Sequence, residues 1–149
     1  MHKIVLGAVA AAAVMSVVPA ASASEVAASD RTASAVTVRA ATLPFTFTFD
    51  FETTLRSRNF SPPASGRACV TLRGTGSTDP GWRGKEILVE MWDADGIDER
   101  VGPRVRYRLD GTDKVFCWEA LVQNHEHYLL LVKEWGPSRV YGEGRVWAG

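Results

Sequence analysis

The most regular pattern of apolar and polar positions lies at residues 44–52, PFTFTFDFE, where phenylalanine alternates with threonine and acidic residues. A period of two residues places successive side chains on opposite faces and is typical of a strand with one buried face. The pattern therefore predicts a β-strand whose rings enter the core from one face: Phe45, Phe47, Phe49 and Phe51.

Six further segments show the short alternation or the apolar run expected of strands. They are residues 67–73, 86–92, 104–109, 114–119, 126–133 and 139–147. No segment carries the apolar 3.6-residue period of a capped helix over three turns. The chain is therefore predicted to be all-β, a small antiparallel β-sandwich of about seven strands, immunoglobulin-like or jelly-roll-like, with one disulfide.

The beginning of the chain is typical of an exported protein. Lys3 precedes an uncharged apolar run at residues 4–18, which is too short to span a bilayer, and small residues at 21–23 suit signal-peptidase cleavage. Residues 1–23 are predicted to be a secretory signal peptide, 24–42 a flexible spacer and 43–149 a single β-sandwich domain. The predicted location is extracellular.

The chain contains two cysteines, Cys69 and Cys117. An even number of cysteines in an exported chain favours a disulfide over free thiols. Each cysteine lies on the parity opposite to the apolar residues of its predicted strand. We therefore expect a bond between neighbouring strands on an outer face, unlike the disulfide that immunoglobulin domains bury between their sheets.

Charge excludes some partners. The 17 basic and 17 acidic residues balance, so no global field favours nucleic acid or an anionic membrane, and we expect neither as a partner. The domain is predicted to be a monomer. The excess of Arg over Lys and the abundance of Ala indicate a GC-rich bacterial gene.

An acidic segment, residues 93–100, follows one of the predicted strands. The surrounding residues 89–102, VEMWDADGIDERVG, resemble a calcium-binding loop of C2 domains. The resemblance places Asp93, Asp95 and Glu99 in the liganding positions and implies a calcium-binding β-sandwich. A solvated polar turn is the simpler interpretation and is preferred, so no cofactor other than this possible calcium ion is expected.

The pair His125 and His127 offers a second candidate for metal binding. Two imidazoles on one strand face suit zinc or copper, although the neighbouring sequence supplies no further ligand. The alternative is a polar loop that enters a strand.

Candidate catalytic residues are not found. The chain has no G-x-S-x-G motif and no glycine-rich phosphate loop between a strand and a helix, so no catalytic residue is assigned.

Trp82 and Trp135 lie in predicted loops, and an arginine stripe alternates with apolar residues on one strand, which makes these residues candidates for a ligand surface. The stripe consists of Arg104, Arg106 and Arg108.

The sequence therefore favours a small secreted bacterial domain that acts by binding, without catalysis. Its ligand is predicted to be a protein, a cell-wall polymer or another glycan. Two alternatives stay open, a small extracellular hydrolase and a C2-like calcium-binding sandwich. A flat face with exposed aromatic rings would favour binding, and a cleft with converging carboxylates or histidines would favour catalysis.

Overall fold

The computed structural model describes residues 39–149, so the predicted signal peptide and residues 24–38 of the predicted spacer lie outside the described part. That part contains eight β-strands, and no helix within it is long and apolar enough to cross a membrane. The strands are β1 (Phe45–Phe51), β2 (Thr54–Arg56), β3 (Ala68–Ser77), β4 (Glu86–Asp93), β5 (Glu99–Arg108), β6 (Lys114–Trp118), β7 (His127–Val132) and β8 (Val140–Ala148).

The strands form two antiparallel sheets of four strands each. Sheet I has the order β1-β8-β3-β6, and sheet II has the order β2-β7-β4-β5. Apolar residues from both sheets form one buried cluster between them. The predicted all-β, antiparallel sandwich with one disulfide is confirmed, with eight strands rather than about seven.

The rings of β1 pack over glycines of the neighbouring strand β8. Phe49 lies opposite Gly142, and Phe47 lies opposite Gly144. A Cβ at Gly142 would lie 2.2 Å from Cζ of Phe49, and a Cβ at Gly144 would lie 2.4 Å from Cζ of Phe47. Both glycines are therefore needed to make room for the aromatic face that the alternating pattern predicted.

Two strand segments were missed in the sequence. The strand β2 has only three residues, too few for a period of two to be recognised. The strand β5 begins at Glu99, whereas the sequence predicted a start at residue 104. The prediction was late because Gly102 and Pro103 are typical of a turn between strands. Proline is tolerated there because β5 is an edge strand, and Gly102 adopts a φ of 68° where the pairing with β4 shifts register.

The disulfide joins Cys69 and Cys117, which are direct partners on the neighbouring strands β3 and β6. Ala68 and Val70, on either side of Cys69, belong to the buried cluster between the sheets, whereas Cys69 does not. The bond therefore lies on the outer face of sheet I, as expected from the parity of the cysteines. Its presence is compatible with an extracellular location.

Candidate functional site

Two groups of candidate metal ligands, separate in the sequence, meet at one end of sheet II. Asp93 is the last residue of β4 and pairs directly with His127, the first residue of β7. Asp95 follows in the loop after β4, and His125 lies just before β7. We call Asp93, Asp95, His125 and His127 the acid–histidine cluster.

Short contacts hold Asp93, Asp95 and His125 together. Nδ1 of His125 lies 2.7 Å from Oδ2 of Asp93, and the ligand atoms of Asp93, Asp95 and His125 all lie within 4.8 Å of one another. The backbone N–H of Asp95 donates to Oδ1 of Asp93 at 2.9 Å. The backbone N–H of Glu126 donates to Oδ2 of Asp95 at 3.1 Å. The loop after β4 and the segment before β7 therefore position the carboxylates jointly.

His127 is the most deeply buried member of the cluster. Its side chain is 0% exposed, and neither ring nitrogen has a hydrogen-bond partner. Nε2 lies 4.0 Å from Oδ2 of Asp93, so the imidazole faces the carboxylate without bonding to it. The ring of Phe60 packs nearby at a centroid distance of 6.3 Å.

The surroundings favour a neutral His127 and an ionised Asp93. Burial opposes ionisation of Asp93, but the N–H of Asp95 and the ring of His125 keep the pKa of Asp93 below its usual value. The hydrogen bond to Asp93 raises the pKa of His125. Burial lowers the pKa of His127 despite the nearby carboxylate. Ionised carboxylate and neutral imidazole are the forms that bind metal ions, so His125, whose raised pKa favours the protonated form, would release a proton on binding one.

The predicted calcium ligands are only partly brought together. Glu99 pairs with Asp93 across β4 and β5, but its side chain is exposed and it is not a member of the compact group of ligand atoms. His125 takes the third place in that group. The neighbouring Asp98 accepts a hydrogen bond of 2.9 Å from the hydroxyl of Tyr128.

Trp82 does not lie on the surface, which corrects its assignment to an exposed ligand surface. Its side chain is only 8% exposed and packs in the core. A tight turn folds the indole inward, since the N–H of Trp82 donates to the carbonyl of Asp79 and the N–H of Lys85 donates to the carbonyl of Trp82. The nearby Gly and Pro correctly indicated a turn, but not the direction of the ring.

Trp135 and Arg106 do lie together on the outer face of sheet II. They line a shallow depression of about 400 Å³ with Lys85, Glu86 and Glu134. The Trp135 ring is half-buried, and its Nε1 donates to the carbonyl of Glu86 at 2.8 Å. The ammonium groups of Lys85 and Lys133 lie 4.5 and 4.4 Å from the ring centroid. This tryptophan is therefore already engaged by the protein's own cations.

The arginine stripe of β5 is exposed, as predicted, and two of its members are paired. Arg104 contacts Glu134 at 3.7 Å and also the carboxylate of Glu90, which is 2% exposed. Arg106 contacts Glu86 at 3.3 Å. This face thus neutralises much of its own charge.

The edge strand β1 lies between two depressions. One, of about 310 Å³, opens between β1 and β2 and has an apolar lining that includes Phe45, Phe47, Leu55 and Leu131. The other, of about 810 Å³, lies on the outer face of sheet I and is mainly polar. Its lining includes Thr46, Thr48, Thr71, Arg73, Glu143 and Arg145. The alternation of β1 predicted its buried face but not its place at an edge.

Comparison with known proteins assigns neither a family nor a function to the chain. No protein-family model matches the chain, and no curated protein matches it.

Proposed function

We propose that this protein is a secreted, non-catalytic binding domain that takes up an extended peptide segment as an additional strand along β1. The observation that carries the proposal is that β1 is an edge strand within residues 39–149, with an apolar depression on one side and a polar depression on the other. The Cys69–Cys117 bond and the predicted signal peptide support export.

The four edge strands differ in how well they are protected. Proteins usually guard such edges with short strands, charges, proline or bulges, because free backbone groups can pair with another chain. The strand β2 has three residues, β5 carries Pro103 and four arginines, and β6 has five residues and begins with Lys114. In contrast, β1 has seven residues, contains no Lys, Arg or Pro, and carries a single charged residue, Asp50, near its end. It is the least protected edge of the described domain.

The two depressions suit the side chains of an added strand. Successive side chains of a strand point to opposite faces, so main-chain bonds supply affinity and pockets on either side supply specificity. Side chains that point toward sheet II would enter the apolar depression near Phe47 and Leu55. Those that point outward would meet the polar depression around Thr48 and Arg73. The ligand that fits is therefore a peptide with alternating apolar and polar residues.

The other candidate surfaces support this choice by comparison. On the outer face of sheet II, Arg104, Arg106 and Trp135 already contact charged residues of the protein itself, which weakens the case for a glycan platform there. In the acid–histidine cluster, His125 bonds to Asp93 and His127 is buried, so these groups are turned toward one another rather than toward a substrate.

The test uses a displayed library of random peptides selected on the immobilised protein. We expect the enriched peptides to alternate apolar and polar residues and to slow amide hydrogen exchange at residues 45–51. The double variant Thr46→Lys/Thr48→Lys places charges on exposed positions of this edge. It should weaken peptide binding at least about tenfold, because charge on an edge opposes strand addition. Val115→Lys on β6, where Val115 is 56% exposed, is the matched control and should bind normally.

Three outcomes would contradict the proposal. One is failure to enrich any peptide on the unaltered protein, and another is equal binding by the double variant and the control. The third is binding of a cell-wall polysaccharide that is insensitive to both variants, which would favour the glycan ligand. Light scattering during size-exclusion chromatography also shows whether β1 instead pairs with a second copy of the chain.

A further inference from the structure

We propose that the acid–histidine cluster is a binding site for zinc or a similar divalent transition metal ion. The site lies on sheet II and its adjoining segments, whereas the peptide is proposed to bind at β1 of sheet I. It therefore goes beyond the proposed function and can be tested independently of it.

The donor atoms lie at separations that a small ion can join. Zinc bonds of about 2.0–2.2 Å in a tetrahedral arrangement separate the donor atoms by about 3.4 Å. Nδ1 of His125 lies 2.7 Å from Oδ2 of Asp93, and Nε2 of His127 lies 4.0 Å from the same oxygen. These distances fall on either side of the required value, and each differs from it by less than about 1 Å. An oxygen of Asp95 supplies a further donor within 4.8 Å of those of Asp93 and His125.

The unpaired imidazole of His127 is an independent indication of a ligand. Buried polar side chains almost always have a hydrogen-bond partner, because desolvation without compensation is unfavourable. His127 is 0% exposed, and both of its ring nitrogens lack a partner. Since Nε2 faces Asp93, an ion between them would satisfy this nitrogen and neutralise the carboxylate.

The donor set discriminates between calcium and the transition metals, zinc and copper, that were considered from the sequence. Calcium binds six to eight oxygen atoms and does not favour imidazole. Two imidazoles with two carboxylates suit zinc and other divalent transition metals. Glu99, which the calcium hypothesis requires, is not part of the compact group of Asp93, Asp95 and His125. His127 also lies outside that group, but its Nε2 comes within 4.0 Å of Asp93. The structure thus favours a mixed nitrogen and oxygen site formed by Asp93, Asp95, His125 and His127.

The bound ion would link the loop between β4 and β5 to the segment between β6 and β7. Asp95 lies in the loop between β4 and β5, and His125 lies in the segment between β6 and β7. Asp93 and His127 anchor the ion to the ends of β4 and β7. An ion that binds only the folded state also stabilises it by mass action, so zinc should raise the melting temperature of the whole domain.

The experiment uses the full chain without a polyhistidine tag, stripped of metal and titrated with Zn²⁺ against a chromophoric chelator. We expect one equivalent to bind, a higher melting temperature, and a Co²⁺ absorption spectrum typical of nitrogen and oxygen ligands. His125→Ala and Asp95→Asn alter exposed or half-exposed side chains and should retain the fold. Each should weaken zinc binding at least about tenfold, since His125→Ala removes an imidazole ligand and Asp95→Asn replaces a charged carboxylate by a neutral amide.

Glu99→Gln is the matched control, because Glu99 belongs to the same acidic segment but not to the proposed site. Zinc binding by this variant should equal that of the unaltered protein. The proposal is overturned if the unaltered protein binds zinc no better than His125→Ala. It is also overturned if Glu99→Gln loses as much affinity as His125→Ala, or if Ca²⁺ displaces Zn²⁺ at equal concentration, since both results indicate an oxygen-only calcium loop.

Discussion

The outer faces of the two sheets use polar residues in opposite ways. On sheet II, the carboxylate of Glu90 is 2% exposed and lies beneath Arg104, with Arg100 at 3.8 Å and the indole N–H of Trp92 at 2.8 Å. On sheet I, the pair Arg73–Glu143 is separated by 3.7 Å, and both side chains are about half exposed. The Glu90 network of sheet II is thus shielded from solvent, whereas the Arg73–Glu143 pair of sheet I is accessible to a ligand.

The two sheets also differ in the interactions that link their strands and in the protection of their edge strands. The outer face of sheet I carries the disulfide between β3 and β6, and its opposite edge is the unprotected β1. The outer face of sheet II carries its charge network on β4 and β5, and its β5 edge is guarded by Pro103 and arginines. The disulfide therefore ties one edge strand of sheet I covalently, whereas β1 at the other edge has no such link.

The largest effect is expected for Phe49→Ala on the inner side of sheet I. Phe49 is 2% exposed and packs over Gly142, so its removal leaves a cavity and should lower the free energy of unfolding by about 3–5 kcal/mol. Thr48→Ala, on the accessible outer face, should change it by less than about 0.5 kcal/mol. Denaturant midpoints measure both. Equal losses would mean that β1 is buried on both faces and offers no edge to a ligand.

Loss of the disulfide should have the next largest effect. The double variant Cys69→Ser/Cys117→Ser releases a link between residues 48 positions apart and should lower the free energy of unfolding by about 2–4 kcal/mol. Thermal melts of the unaltered protein with and without reductant provide the same comparison without mutation. If the double variant is as stable as the parent, the covalent link is not what distinguishes sheet I from sheet II.

A smaller effect is expected for Glu90→Gln, which sharpens the contrast between the outer faces. Removing this buried charge weakens its bond to Arg104, and we expect a loss of about 1–2 kcal/mol. The matched variant Glu143→Gln on sheet I should cost less than about 0.5 kcal/mol, because solvent screens its exposed pair with Arg73. Urea unfolding of the two variants tests the difference. Similar losses would show that the two faces are equally dependent on their ion pairs.

The sequence by itself determined the all-β class, the buried face of β1 and the outward orientation of the cysteine side chains. These features depend on the alternation of side chains along one strand, which is a local property. Irregular strands were harder to predict from the sequence. The short β2 lacks a period, and Gly102 with Pro103 hides the first half of β5 because an edge strand tolerates residues that a central strand excludes.

Only the tertiary structure decided which distant residues meet. Asp93 and His125 are 32 positions apart, and the pairing of β4 with β7 joins them into one cluster that neither local pattern indicated. The burial of Trp82 and the free edge of β1 likewise depend on strand order and on how a turn folds back. Local sequence specifies the faces of a strand, but its neighbours are selected by packing across the whole domain, and the candidate sites arise from those neighbours.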